Sequence, residues 1–377
     1  FDSAKKAIEF MHQDEPDFLV TDMRMPEING LDLLRYSYKH FPRMVRIILS
    51  GQTEKNQILQ SIGLAHQFFS KPTDTSQLID LIKGIAFIRS VLHNSEMINQ
   101  ITRIKSLPTL PSIYMQLREL LNSDDSSIKD IASLISQDIS LSARILQLVN
   151  SSFFSIMKKI SDIQQAISLL GLEIVKDLIL SLHLFENVKP DLLKNYHLNE
   201  LWNHSTAVAI IAKHIANDFG FSKEKIENCF IAGLLHDIGR LILVNEKPFD
   251  YVKVIEKVQE EHLSVSDAEN ELFKINHSEI AAYLISIWGF SHIVVLSVFL
   301  HHNPALFDDR TISPALCVHL ANYVHHKLDG SHLQNHFVNI DEPCYDESLI
   351  AELNLTEKIN QYISYFNENP IVINQFY

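Results

Sequence analysis

Cysteine is scarce in this chain. Its three cysteines, Cys229, Cys317 and Cys344, stand far apart and form no Cys-x-x-Cys pair. That spacing argues against a disulfide scaffold and against zinc knuckles, and it suits a reducing, cytoplasmic compartment. Long apolar runs are missing too. No stretch reaches the roughly 18 uninterrupted apolar residues of a membrane span, and no signal-peptide pattern opens the chain. Positive charge is in deficit: 32 Lys and Arg against 46 Asp and Glu leave a net charge of −14. Most of such a surface would repel a phosphate backbone, which argues against a general nucleic-acid binder. No repeat and no low-complexity tract is visible. What is present is ordinary globular material, 46% hydrophobic and 21% charged, and its 377 residues are too many for one typical domain. Residue 1 is Phe and the opening residues read as the inside of a helix, so the natural N-terminus is expected upstream.

Two textures divide the chain. Residues 1–83 alternate short β-like runs, FLVTD (18–22), RIILSG (46–51) and QFFSK (67–71), with helically spaced stretches, GLDLLRYSYKHF (30–41) and TEKNQILQSIGL (53–64). Strands alternating with helices predict βαβ units and an α/β domain on a doubly wound parallel sheet, truncated at its N-terminus. Beyond residue 84 the strand signals vanish and helix follows helix, punctuated by LPTLP (107–111), NSDDSS (122–127), Gly171, FGFS (219–222), WGFS (288–291) and HHNP (301–304). This second part is expected to be all-α. Across the join, Leu78, Leu81, Ile85, Ile88 and Leu92 are spaced 3-4-3-4, the seam of a coiled coil and a route to a homodimer. The seam is short and contains Gly84, so the plainer alternative is a last helix of the first domain running into a linker. The expected layout is a first domain at 1–83, a helical linker at 84–106, a helical domain at 107–308 and a helical extension at 309–377.

In the first domain, Asp22 closes a predicted strand, where open α/β sheets place their ligands. Ser50 follows a second strand and Lys71-Pro72 a third. Taken singly, each residue caps a strand. Together, a carboxylate, a hydroxyl and an ammonium at adjacent strand ends suit an acyl phosphate: Asp22 as nucleophile, Ser50 bonded to a phosphoryl oxygen, Lys71 paired with its charge. The blocks TDMRMPEINGLDLL, ILSG and FFSKP occur in the order found in receiver domains of two-component response regulators, and residues 1–83 resemble that family. The resemblance implies phosphorylation of Asp22 by a histidine kinase, a switch built on Ser50 and Lys71, and Phe68 as the switch aromatic. It also implies Mg²⁺ held by an acidic pair on a first strand that this sequence does not contain.

The helical part carries most of the 19 histidines. His12, His40, His66, His93 and the histidines from His325 onward read as surface residues. Six other polar residues form a pattern, with Glu200 beside them as a seventh. His204 falls on the apolar face Leu201, Val208, Ile211, Ile215, Phe219, with Glu200 one turn before it on the same side. His236 and Asp237 stand side by side in AGLLHDIGRLIL, pointing about 100° apart if that stretch is one helix. His277 joins the face Ile280, Ala281, Leu284, Trp288, and His301 and His302 end the apolar helix IVVLSVFL. A single inward histidine is ordinarily a hydrogen-bonded core residue, and a histidine at a helix end also complements the dipole. Five buried imidazoles and a carboxylate without a cation are costly to keep satisfied, however. Imidazole with carboxylate suits iron, manganese or zinc, in a mononuclear or dinuclear site that leaves positions open for water and phosphate.

NHS, then HDIG, then NHSEIAAYLISIWGF and FLHHNP resemble the HD superfamily of metal-dependent phosphohydrolases. More narrowly, LPTLPSIYMQLRELL, IASLISQDISLSARILQLVNSSFF and ISDIQQAISLLGLEIVKDLIL resemble the HDOD family, from Leu107 to Pro304. Many HDOD members have lost the metal ligands and are treated as signalling modules. The resemblance to the related HD-GYP phosphodiesterases, which cleave cyclic di-GMP, implies a ligand set of Glu200, His204, His236, Asp237, His277, His301 and His302. Three departures stand against catalysis. Arg240, a candidate phosphate contact, replaces the usual lysine after HD-x-G; the GYP segment is replaced by HHNPALFDD; and Asn322 stands where a late aspartate ligand is expected. The expected protein is a response regulator whose receiver controls a metal-binding HDOD output domain through an unidentified protein partner. The alternative is a metal-dependent phosphodiesterase acting on a cyclic dinucleotide or another phosphoester.

Overall fold

The computed structural model describes residues 1–41, 43–50, 61, 64–72, 75–91, 112–121, 127–136, 141–142, 145, 163–186, 192, 196, 198–306, 311–329 and 346–371. The expected helix at 53–64, most of the expected linker at 92–106 and Cys344 lie largely or wholly outside them. The chain divides into two compact units, Phe1–Met115 with Tyr283–Phe290, and Gln116–Ala282 with Ser291–Tyr377.

The first unit is a small parallel sheet with helices. In chain order it contains α1 (Ala4–Gln13), β1 (Phe18–Asp22), α2 (Gly30–His40), β2 (Val45–Ser50), β3 (Gln67–Ser70) and α3 (Thr75–Val91). The strands lie in the order β1-β2-β3, all parallel. β2 is nearly all buried, as a strand covered on both faces must be, with Val45, Ile47 and Ile48 among its apolar residues. Met11, Leu34, Phe41, Met44 and Ile48 share one core with Ala4 and Ala7 of α1. Side chains stop the first turns from fraying: Ser3 accepts from the Lys6 amide and Asn29 from the Asp32 amide. Gly30 has a steric reason, since a Cβ there would collide with the Asp22 carbonyl oxygen.

The register sets the site. Asp22 pairs with Leu49 and Ser50 with Ser70, so Asp22, Ser50 and Lys71 leave the sheet at the same carboxyl edge. His66, read from sequence as a surface residue, is buried. Its Nδ1 accepts from the Arg46 amide at 3.0 Å, and Arg46 is itself buried, donating to the Met44 carbonyl at 2.9 Å. Burial, and then the Arg46 charge, hold this imidazole well below its ordinary pKa. Helix α3 runs unbroken through residue 84. Ile85 and Ile88 of the proposed seam are already buried within the single chain, and Leu92 lies outside the described residues.

The second unit is helical. Its described helices are α4 (Ser112–Leu121), which begins in the first unit, α5 (Ile128–Ser136), α6 (Ile163–Leu170), α7 (Leu172–Glu186), α8 (Leu198–Asp218), α9 (Lys223–Leu235), α10 (Ile238–Glu246), α11 (Pro248–Glu261), α12 (Val265–Phe273), α13 (His277–Ile287), α14 (His292–Phe299), α15 (Pro314–Asp329), α16 (Glu347–Glu352) and α17 (Thr356–Glu368). Residues 204–212 of α8 are all buried, the signature of a helix enclosed on every side. It packs on α9 and α15, and α14 packs on both of these. The extension after residue 309 therefore belongs to the same core. That core also brings Cys229 and Cys317 into contact as buried free thiols.

Gly233 sets the spacing of α8 and α9: a Cβ would lie 2.7 Å from the Ala209 Cα, backbone that cannot give way. Gly233→Ala is expected to cost about 1–3 kcal/mol by overpacking, read as a lowered midpoint in thermal or urea unfolding. An unchanged midpoint would mean that this crossing is not tight.

Candidate functional site

At the sheet edge Asp22 forms an ion pair with Lys71, and its Oδ1 accepts from the Arg24 amide at 3.3 Å. Burial opposes ionisation, but the Lys71 contact and charge together with the Arg24 and Met23 amides outweigh it and hold the carboxyl below its ordinary value. Ser50 is buried and Phe68 half-buried. The result is an ionised carboxylate at the end of a strand, paired with a cation.

In the second unit the inward histidines are delivered by helix ends. His204 sits within α8. His236 and Asp237 were expected on one helix, but they lie at the junction of two. Asp237 has φ −104° and ψ 5°, the bridge region common in turns and active sites, and α10 begins after it. Gly239 lets this junction approach the first turn of α13, since a Cβ there would collide with the His277 carbonyl oxygen. His277 opens α13, and His301 and His302 form the turn after α14. Asp237 meets all of these elements. Its Oδ2 lies 3.5 Å from His236 Nε2 and 3.8 Å from His204 Nε2, and its Oδ1 lies 3.3 Å from His277 Nε2 and 3.8 Å from His301 Nε2. Two donor groups result, His204–His236–Asp237 and Asp237–His277–His301–His302, one on each carboxylate oxygen. Glu200, half-buried in the first turn of α8, is in neither group.

Proton positions decide what these groups offer. A carbonyl only accepts, so His236 Nδ1, 2.7 Å from the Gly233 oxygen, carries the proton, and its Nε2 presents a lone pair. His301 Nδ1 likewise donates to the Val298 carbonyl at 2.7 Å. His301 Nε2 and Asp237 Oδ1 are both buried without a hydrogen-bond partner among the described residues. His204 Nε2 faces His236 Nε2 at 3.2 Å, and His277 Nε2 faces His302 Nε2 at 2.9 Å. Converging lone pairs at such spacings are unfavourable unless a cation or proton lies between them. Nitrogens bound at about 2.0–2.1 Å to one first-row ion sit roughly 2.8–3.4 Å apart for ligand angles of about 90–110°, so the donor set fits a divalent metal.

The electrostatics agree. Burial holds His204, His301 and His302 well below the ordinary imidazole pKa and lowers His236, leaving them neutral, as ligands must be. Burial would raise the Asp237 carboxyl, but Arg240, Nε 3.4 Å away, and the surrounding imidazoles hold it well below the usual carboxylate range. Arg240 is buried. His277 differs: burial opposes its charge, but Glu269 overrides that and raises it.

Sequence reading missed Glu269. Fully buried on α12, it accepts from both the amide and Nδ1 of His277 at 2.7 Å, while Tyr251 donates to its other oxygen at 2.7 Å. Such outer partners fix a ligand's tautomer and orientation. His325 and His326 were expected on the surface and are half-buried against His204, with His325 Nδ1 3.0 Å from His204 Nδ1. Burial takes His325 down to about 4 and His326 to about 3, so both are neutral. His319 donates from Nδ1 to the His301 carbonyl at 2.8 Å. The spacing of His319, Asn322 and His326 along one face of α15 was the available signal.

Residues 107–304 match the HDOD domain family. The chain belongs to that family. Residues 1–83 match the response regulator receiver domain, so a receiver precedes the HDOD domain, a make-up of response-regulator signalling. The HDOD chain is 28% identical over 228 residues to an uncharacterized protein of Treponema pallidum, covering 60% of this chain and 44% of that one. It is 26% identical over 97 residues to the transcriptional regulator NtrC of Proteus hauseri, covering 26% of this chain and 20% of the regulator. It therefore spans less than half the length of either relative. An HDOD domain protein of unknown function from Geobacter sulfurreducens is similar in structure, with a TM-score of 0.51 and 25% identity over 78% of this chain and 100% of that one. No helix among the described residues is long and apolar enough to cross a membrane.

Loaded anaerobically with iron, manganese or zinc, the protein is expected to retain metal on elemental analysis. Glu269→Gln should weaken retention about 10- to 100-fold, and Asp237→Asn should abolish it with the far-UV circular dichroism unchanged. Metal-free wild type would overturn the assignment.

Proposed function

We propose that this chain is a cytoplasmic phosphorelay response regulator in which phosphorylation of Asp22 controls a metal-binding HDOD domain acting through a protein partner. The observation that carries the reading is the Asp22–Lys71 ion pair beside buried Ser50 on one sheet edge, in the same chain as the HDOD domain. In this reading a carboxylate oxygen of Asp22 attacks the phosphorus carried by a histidine kinase. The phosphoryl group moves to Asp22 and the kinase imidazole leaves. Lys71 gives up part of its pairing with the carboxylate to accompany the phosphoryl charge, and the Ser50 hydroxyl donates to a phosphoryl oxygen. Seven residues, Glu200, His204, His236, Asp237, His277, His301 and His302, are the proposed ligand set. The two donor groups support six of them, and Glu200 rests on the resemblance alone.

In native-length protein with Mg²⁺ and acetyl phosphate, Asp22→Asn should abolish a hydroxylamine-sensitive phosphoryl group that wild type acquires. Equal labelling of both would sink the phosphoacceptor assignment.

A second reading, metal-dependent hydrolysis of a cyclic dinucleotide or another phosphoester, is favoured by one feature. The group His204–His236–Asp237 supplies three donors, fewer than an ion takes, which leaves room for water and a substrate oxygen. Bound divalent ions would activate water and stabilise both oxygens of a phosphoryl displacement. Arg240 would steady Asp237 and, in this reading, lend positive charge to a phosphate. Its burial and the amide at Asn322 favour the first reading. Metal-loaded protein incubated with cyclic di-GMP and with bis(p-nitrophenyl) phosphate is expected to show no turnover that His236→Ala removes. Turnover lost in that variant would establish the enzyme instead.

A further inference from the structure

We propose that His325 is the positioning residue that readies His204 for metal, making His204–His236–Asp237 the weaker and separately removable of two metal positions. This rests on the metal-binding reading and assigns a role to a residue outside the matched stretch 107–304.

The argument is one of proton counting. His236, His301 and His277 each direct Nδ1 to oxygen: the Gly233 carbonyl, the Val298 carbonyl and the Glu269 carboxylate. Those acceptors fix the proton on Nδ1 and leave Nε2 free to bind. His204 differs, because nitrogen faces both of its ring atoms: Nε2 looks to His236 Nε2 at 3.2 Å and Nδ1 to His325 Nδ1 at 3.0 Å. For His204 Nε2 to offer a lone pair, its Nδ1 must carry the proton and find an acceptor, and His325 Nδ1 is the atom there. His325 must then hold its own proton on Nε2. The two rings meet edge to face, with centroids 4.8 Å apart and planes at 71°. Helix α15 packs against α8, which carries His204, and against α9 and α14, so the pairing joins elements of one core. An imidazole is a less committed anchor than a carboxylate or a carbonyl, because its other tautomer would donate toward His204 and turn the His204 proton onto the metal-binding nitrogen. The two positions therefore differ in donor number, three against four, and in how firmly their histidines are oriented.

Zinc and cobalt(II) titrations of the full chain test this, with binding followed calorimetrically and by the cobalt d–d absorption. Wild type is expected to take up two ions in separable steps, and His236→Ala to show only the tighter one. His325→Phe, which removes the acceptor, should weaken the second step about 10- to 100-fold while leaving the first unchanged. His325→Gln, whose amide oxygen can accept, should restore most of that loss. Full binding of both ions by His325→Phe would overturn the proposal. Equal loss in the Phe and Gln variants would do so too, since it would mean that the residue acts by packing. A wild type that takes up no ion would instead remove the metal-binding reading on which the proposal rests.

Discussion

The second unit is organised around one buried carboxylate. Asp237 is enclosed by protein, and an isolated anion in such surroundings carries a desolvation penalty of several kcal/mol. Its neighbours offset that penalty. Arg240 lies 3.4 Å from Oδ2, and histidines from four parts of the chain face its two oxygens. Much of the local backbone serves this arrangement. The helix breaks at Asp237, Gly239 admits the α13 terminus, and Gly233 admits α8. Removing the carboxylate would leave Arg240 and converging imidazoles with nothing to balance them.

The same chemistry bears on why most of these imidazoles sit at helix ends. An imidazole within a helix can reach inward but has few nearby groups to fix its tautomer. At a helix end, free carbonyls supply acceptors, and His236 and His301 each donate to the carbonyl three residues earlier. His277, at a helix start, has no such carbonyl and relies on Glu269, which also takes the exposed amide of the first turn. His204 stands within its helix, and the group facing its Nδ1 comes from a different helix.

The two units handle negative charge in different ways. At the sheet edge Asp22 is partly exposed, and its ionisation is favoured by the lysine paired with it. In the helical unit Asp237 is sealed among imidazoles and one guanidinium, an arrangement suited to holding a cation in place. The chain thus holds one partly exposed carboxylate paired with a single lysine and one buried carboxylate enclosed by imidazoles and a guanidinium.

Much of this was legible in the sequence. Short β-like runs at 18–22, 46–51 and 67–71, alternating with helical spacing, pointed to the parallel sheet, because strands joined through helices run parallel. The inward histidines gave the helical site, because a polar residue on an apolar face is visible wherever the helical period is. The break at Asp237 was not legible: AGLLHDIGRLIL has unbroken helical spacing, and the close approach of α13 decides where the helix stops. Nor were Glu269 and His325, whose partners stand in other helices. His66 was misread for the same reason, since Arg46, its partner at both ring nitrogens, comes from β2. Local pattern determined which side chains could be ligands. Which nitrogen of each ring faces the centre is decided by packing, because a tautomer is set by an acceptor that only the folded chain brings within reach.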